Sequence, residues 1–202
     1  KTHIVNMCKI FAETLKNEYG DGLVSYASKA FCCKEIYRII NNCSLGADVV
    51  SGGELYTAIK SGFPAEKLTF HGNNKSVEEL SEAVVCCVGE IVIDSFNEID
   101  DLDRICEKFG KKQNVLIRVN PGVEAHTHHF IQTAKPDSKF GFSVSDGSAE
   151  LAIKKASAAK NLSLNGLHCH IGSQIFEKKS FVLAVDKMTD FYKKVKDELG
   201  IE

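Results

Sequence analysis

Hydrophobic and polar positions alternate along the chain in two periods, and each period marks one kind of element. Ile4, Cys8, Phe11 and Leu15 recur at helical spacing, and Gly20-Asp21-Gly22 closes that helix. A short apolar strand over 23–27 follows, then a helix over 34–41. The same couplet returns as strand 47–50 with helix 54–60, strand 68–71 with helix 77–85, and strand 91–93 with helix 98–109. Strand 115–119, a long loop, a helix over 150–159, strand 164–170 and a final helix over 181–199 complete the pattern. The last helix places Phe181, Val185, Met188, Tyr192, Val195 and Leu199 on one face.

Strands that are each followed by a helix pair in parallel, because the helix is the crossover that returns the chain to the same edge. The predicted strands start at 23, 47, 68, 91, 115 and 164, and the first five are almost evenly spaced. An open doubly wound sheet and a (β/α)8 barrel both fit an α/β chain of this kind. Even spacing without a reversal of connection favours the barrel. A whole barrel takes about 250 residues. The expectation is therefore about six of eight βα units, with residues 1–202 forming one incomplete barrel domain.

Composition narrows the class further. The chain has 202 residues, 44% hydrophobic and 26% charged, as in an ordinary globular protein. A net charge of −2 argues against a nucleic-acid partner held by phosphate neutralisation. No apolar run approaches the roughly 18 residues of a membrane span, and no signal segment opens the chain. The eight cysteines include no CxxC, so they read as reduced thiols in a cytoplasmic protein rather than zinc ligands or a disulfide framework. Lys1 stands where an initiator Met would, which suggests a piece of a longer protein.

Barrel chemistry gathers at the carboxyl ends of the strands. Parity puts Leu23, Ser25, Ala27 and Lys29 on one face, Asp48 on the inward face of the second strand, and Leu116, Arg118 and Asn120 on that of the fifth. Gly166, His168 and His170 share a face of the sixth, while Leu167, Cys169 and Ile171 would pack on helices. A lysine at a strand end is often merely solvated, Asp48 could be a cap, and either histidine could be a satisfied core residue. Arg118 inside an apolar strand is different: buried charge is costly, so it needs an anionic side chain, phosphate or carboxylate. Gly52-Gly53-Glu54 opens a helix and could bind an anion there. No GxGxxG after a strand, GxxxxGK loop or GxSxG elbow occurs.

Six segments, in order, resemble the diaminopimelate decarboxylase family, fold-type III pyridoxal-phosphate enzymes with an alanine racemase-like barrel. They are Val24-Ser25-Tyr26-Ala27-Ser28-Lys29-Ala30, the run from Gly46 to Leu55, and His71-Gly72-Asn73-Asn74-Lys75. Arg118-Val119-Asn120-Pro121-Gly122 follows, leading to His126-Thr127-His128; then come Asp137-Ser138-Lys139-Phe140-Gly141 and the run from Gly166 to Gln174. The resemblance implies a carboxy-lyase converting meso-diaminopimelate to L-lysine and carbon dioxide, the last step of lysine biosynthesis. It implies pyridoxal 5'-phosphate as cofactor, covalently held by Lys29, with Asp48 beside that lysine. Arg118 would lie near the phenolic oxygen, His170 would stack on the ring, and Ser173 would help hold the phosphate. It also implies a small amino-acid substrate and a homodimeric parent.

The family's glycine-rich phosphate loop, its Glu-Pro-Gly-Arg segment and its carboxyl-terminal β domain with Cys-Glu-Ser do not occur, so this portion alone is expected to be inactive. Two other readings stay open. One is a related decarboxylase for ornithine, arginine or carboxynorspermidine, or a racemase. The other is a metal-dependent barrel hydrolase using His168-x-His170 with His126, His128 and His129, which leaves Lys29 idle. The first reading needs no metal ligand.

Overall fold

The computed structural model describes residues 1–123, 140–173 and 175–200. They pack as two compact units, Lys1–Ile91 and Val92–Glu202.

The first unit contains α1 (Thr2–Glu18), β1 (Ser25–Ala27), a 3-10 turn (Ser28–Ala30), α2 (Lys34–Asn42), β2 (Gly46–Val49), α3 (Gly52–Lys60), β3 (Leu68–Phe70) and α4 (Val77–Cys86). β4 (Glu90–Ile93) begins in it. Parallel pairing aligns Ala27 with Asp48, Asp48 with Thr69, and Thr69 with Glu90. This row is half-buried, whereas Ala47, Val49, Leu68, Phe70 and Ile91 on the opposite parity are fully covered. Ile36, Ile40, Leu55, Ala58, Leu80 and Ala83 of the helices are buried too. At about 1.5–3 kcal/mol per large apolar side chain, that face fixes the register, since a slip of one residue would expose it.

The second unit contains α5 (Phe96–Phe109), β5 (Gln113–Asn120), β6 (Phe142–Ser143), α6 (Ser148–Ala158), β7 (Leu162–His168) and α7 (Lys178–Leu199). β5 pairs in parallel with β7, setting Leu116 opposite Gly166 and Arg118 opposite His168. Its carboxyl end also pairs in parallel with β6, Val119 with Phe142 and Asn120 with Ser143. Ile99, Leu102, Cys106, Val115, Ile117, Ala152 and Ile153 form the core.

The expected βα alternation holds, with element ends shifting by a few residues. Three features differ. β6 has only two residues, too short to show any period, and it lies in what reads as loop. β1 stops at Ala27, so Lys29 sits in the 3-10 turn rather than extending the strand.

The third difference is the choice of helix face. In α1, Phe11 is 57% exposed, and the stripe turned inward is Val5, Cys8, Ala12 and Leu15. In α7, Phe181, Val185 and Tyr192 are exposed, while Ser180, Ala184, Phe191 and Val195 are buried. Each helix carries two adjacent apolar stripes, and periodicity does not say which one packs. In α7 the small Ala184 lets the helix approach Val123 and Ile171 closely, with Cys169 and Ile175 packed alongside.

All eight cysteines are free thiols. No helix among the described residues is long and apolar enough to cross a membrane.

Candidate functional site

The two units carry one cluster of chemistry-bearing residues each. In the first, Lys29 follows β1 on a turn that is held from beneath. Ser28 is buried and accepts a 2.8 Å hydrogen bond from Tyr37 Oη. Phe31 N donates to Ser28 O at 3.1 Å, and Tyr26 Oη donates to Phe31 O at 2.9 Å. Tyr37 is itself fully buried, edge-on to Phe63 at 5.7 Å. Burial pushes the Tyr37 phenol well above its ordinary range, so it stays a protonated donor. Lys29 is exposed, and its amine has no hydrogen-bond or ion-pair partner among the described residues.

Asp48 emerges on the half-buried row, and His71 Nε2 lies 3.4 Å from its Oδ1. His71 is placed by its own backbone, whose N–H donates to Val49 O at 2.8 Å. The sequence marks His71 as the start of the His71-Gly72-Asn73-Asn74-Lys75 segment but gives it no role. Parity could have given it one, since it lies two residues beyond Thr69 on the row that holds Asp48.

A second missed signal is the repeated Ser-x-x-Glu at the junctions after β2, β3 and β4. Ser51, Ser76 and Ser95 cap α3, α4 and α5 by accepting from the N–H of Glu54, Glu79 and Glu98. Each glutamate reaches back: Glu54 Oε2 accepts from Val50 N at 2.8 Å, Glu79 Oε2 from Ser76 N at 3.0 Å, and Glu98 Oε2 from Asp94 N at 3.1 Å. Gly52 N donates to Glu79 Oε1 at 2.7 Å. The helix start at Gly52, read from sequence as a possible anion site, is thus occupied by the chain's own carboxylate.

In the second unit, the partner of Arg118 is a side chain. Its Nη1 lies 3.4 Å from Asp94 Oδ1, and both side chains are buried. Burial lowers the Arg118 pKa, while the neighbouring carboxylate opposes that shift. The guanidinium also stacks over the Phe140 ring at 4.6 Å. Gly141 allows this packing: it has φ +69°, and a Cβ there would stand 2.6 Å from Arg118 O.

His168 pairs opposite Arg118 on β7, and His170 follows two residues later, half-buried. Cys169 and Ile171 turn to the other side and pack near Ala184, as parity predicts. Ser173 is half-buried and follows Gly172, whose φ of +141° turns the chain there. His126, His128, His129, Asp137, Ser138, Lys139 and Gln174 lie outside the described residues.

Residues 2–202 match the family model described as the pyridoxal-dependent decarboxylase, pyridoxal binding domain. The chain belongs to the pyridoxal-dependent decarboxylases. Among relatives in that family, the diaminopimelate decarboxylase of Halalkalibacterium halodurans is 46% identical over 96% of this chain and 44% of its own length. That of Bacillus subtilis is 51% identical over 82% of this chain and 38% of its own length. The crystal structure of diaminopimelate decarboxylase from M. jannaschii in co-complex with L-lysine matches with a TM-score of 0.87 at 36% identity. That match covers 99% of this chain and 46% of the other. The chain thus spans less than half the length of the relatives it matches. Its fold class is that of the family, the alanine racemase-like (β/α)8 barrel, in about six βα units.

The residues present suit the cofactor of a pyridoxal-dependent decarboxylase. An aldehyde needs an uncommitted amine, and Lys29 offers one on an immobilised turn. An aromatic ring needs a flat neighbour, and His170 carries an imidazole two residues beyond β7. A phosphate needs donors, and the Ser173 hydroxyl follows a glycine turn.

Proposed function

We propose that this chain is the amino-terminal barrel portion of a diaminopimelate decarboxylase, which converts meso-diaminopimelate to L-lysine and carbon dioxide. In this reading residues 1–202 form an incomplete cofactor-binding barrel domain, and the partner is a small amino-acid substrate. The full-length protein is a cytoplasmic homodimer that acts on neither nucleic acid nor membrane. Identities of 46% and 51% to proteins of that name support the substrate. By contrast, the lysine/ornithine decarboxylase of Vibrio vulnificus is 20% identical and shares the fold.

Bound pyridoxal phosphate supplies an electron sink for the pair left when carbon dioxide departs. The chain's own residues hold and orient. Lys29 is the anchoring amine, and the Tyr37–Ser28 hydrogen bond limits how far its turn can wander. Asp48 Oδ1 and His71 Nε2 stand 3.4 Å apart, so each side chain limits where the other can turn. Arg118 is assigned to the cofactor's phenolic oxygen, with Asp94 keeping the guanidinium in place. His170 is assigned to the ring face and Ser173 to the phosphate. The 202-residue portion by itself is expected to turn over no substrate.

The observation that carries this reading is the exposed, uncommitted Lys29 amine on a turn pinned by buried groups. Borohydride reduction of the full-length protein with its cofactor, followed by peptide mapping, tests it. The label is expected on Lys29, and Lys29→Ala should lose both the label and decarboxylation. A label on another lysine overturns the assignment.

A further inference from the structure

Lys29, Asp48 and His71 stand at the ends of three adjacent strands, and the register fixes their spacing. Ala27 aligns with Asp48 and Asp48 with Thr69, so Lys29 and His71 each lie two residues beyond the row that holds Asp48. Neighbouring strands run about 4.8 Å apart and two residues advance about 6.6 Å, so the Lys29 and Asp48 backbones are no more than about 8 Å apart. A four-carbon lysine stem and an aspartate side chain together span that gap. Yet the Lys29 amine makes no ion pair among the described residues, and the carboxylate within its reach stands 3.4 Å from His71 Nε2 instead.

The histidine is the more confined of the two partners. Its side chain is 13% exposed, against 31% for Asp48. Its backbone N–H donates to Val49 O at 2.8 Å, and Gly72 after it has φ +123°, with a Cβ there 3.4 Å from Val50 O. Lys75 Nζ closes this turn by donating to Gly72 O at 2.6 Å. The ring is therefore set by the end of β3, and an imidazole nitrogen draws a carboxylate whenever it carries a proton. A second carboxylate beside the end of β2, that of Glu54, is taken by Val50 N at 2.8 Å. Glu90 aligns with Thr69, two strands beyond Asp48.

We propose that His71 is a positioning residue, which draws the Asp48 carboxylate aside and so keeps the Lys29 amine uncommitted. The proposal rests on the reading of Lys29 as the anchoring amine. A primary amine adds to an aldehyde carbon through its lone pair, with loss of water, and an ammonium has no pair to give. An Asp48 left loose would pair with Lys29 and favour the ammonium, since an opposite charge within about 4–6 Å stabilises the charged form. His71 thus acts through Asp48 rather than on the reacting atoms, and it sets what fraction of Lys29 is ready.

Full-length protein is freed of its cofactor by hydroxylamine and dialysis. Trace labelling with acetic anhydride over a pH series, mapped by mass spectrometry, gives the midpoint at which Lys29 becomes reactive. Stopped-flow mixing with pyridoxal phosphate at neutral pH gives the rate of cofactor capture. His71→Ala is expected to raise the midpoint by about one pH unit and to slow capture roughly tenfold. His71→Gln, which keeps a donor in the place of Nε2, should stay close to wild type. Adding Asp48→Asn to His71→Ala should restore both values. His71→Leu, which fills the space without a donor, takes the place of His71→Ala if the cavity prevents folding. An unchanged midpoint without the ring overturns the proposal. So does a raised midpoint that Asp48→Asn fails to relieve, which is the mark of a merely structural loss. Midpoints that move as expected while the capture rate stays constant uphold the placing of Asp48 and overturn Lys29 as the anchoring amine.

Discussion

Tyr37 Oη donates a 2.8 Å hydrogen bond to Ser28 Oγ, so a buried phenol on α2 fixes the residue immediately before Lys29. Tyr37→Phe removes only the hydroxyl and leaves Ser28 buried without that donor. A loss of about 1–3 kcal/mol in urea unfolding is expected. Ser28→Ala should cost a similar amount, and the double variant should cost clearly less than the sum. Strict additivity in that cycle means the two hydroxyls do not act together.

Among the described residues, Asp94 is the carboxylate that pairs with Arg118. Asp94→Ala strands a buried guanidinium and should lower stability by about 3–5 kcal/mol. Asp94→Asn keeps an acceptor and should cost less. Chemical denaturation of the two variants beside the wild type decides this, and an unchanged midpoint for Asp94→Ala would show that Arg118 draws its stabilisation elsewhere.

His170 and His168 share a face of one chain segment but should respond differently to substitution. A flat contact is worth about 0.5–1.5 kcal/mol beyond burial. His170→Phe should therefore keep most cofactor affinity, and His170→Ala should weaken it severalfold to tenfold. Titration of cofactor into full-length variants measures both. Equal affinity for His170→Ala and wild type removes the stacking role.

Cys106 predicts an alkaline instability. It is fully buried on α5, and burial pushes its pKa from 9.0 to about 11. The folded state then holds the proton more tightly than the unfolded chain. The stabilisation is complete below pH 9 and is lost as pH rises toward 11, by up to about 2–3 kcal/mol. Melting curves between pH 8 and 11 should show a steeper decline for wild type than for Cys106→Ala. Parallel declines would mean the buried thiol contributes nothing to it.

The strand parity was legible because alternation is a local property: Asp48 between Ala47 and Val49 needs only the sequence of one strand. Arg118 announced a partner for the same reason, but Asp94 lies at the end of a different strand, and register between strands is not written in either alone. His71 was hidden in the same way, because its contact with Asp48 depends on how β3 lines up beside β2. Which apolar stripe of α1 and α7 packs is not legible from periodicity where two stripes compete. There the outcome turned on whether a small residue such as Ala184 allows close approach. β6 stayed invisible because two residues are too few to show a period.

The Ser-x-x-Glu junctions also govern where a dianion can settle. Helix amino termini ordinarily attract phosphate through their exposed N–H groups and the positive end of the helix dipole. At α3 the Gly52 N–H is taken by Glu79 Oε1, and beside the starts of α3, α4 and α5 the carboxylates of Glu54, Glu79 and Glu98 accept from the N–H groups of Val50, Ser76 and Asp94. A negatively charged ligand therefore meets a like charge, not an open row of donors, beside each of these starts.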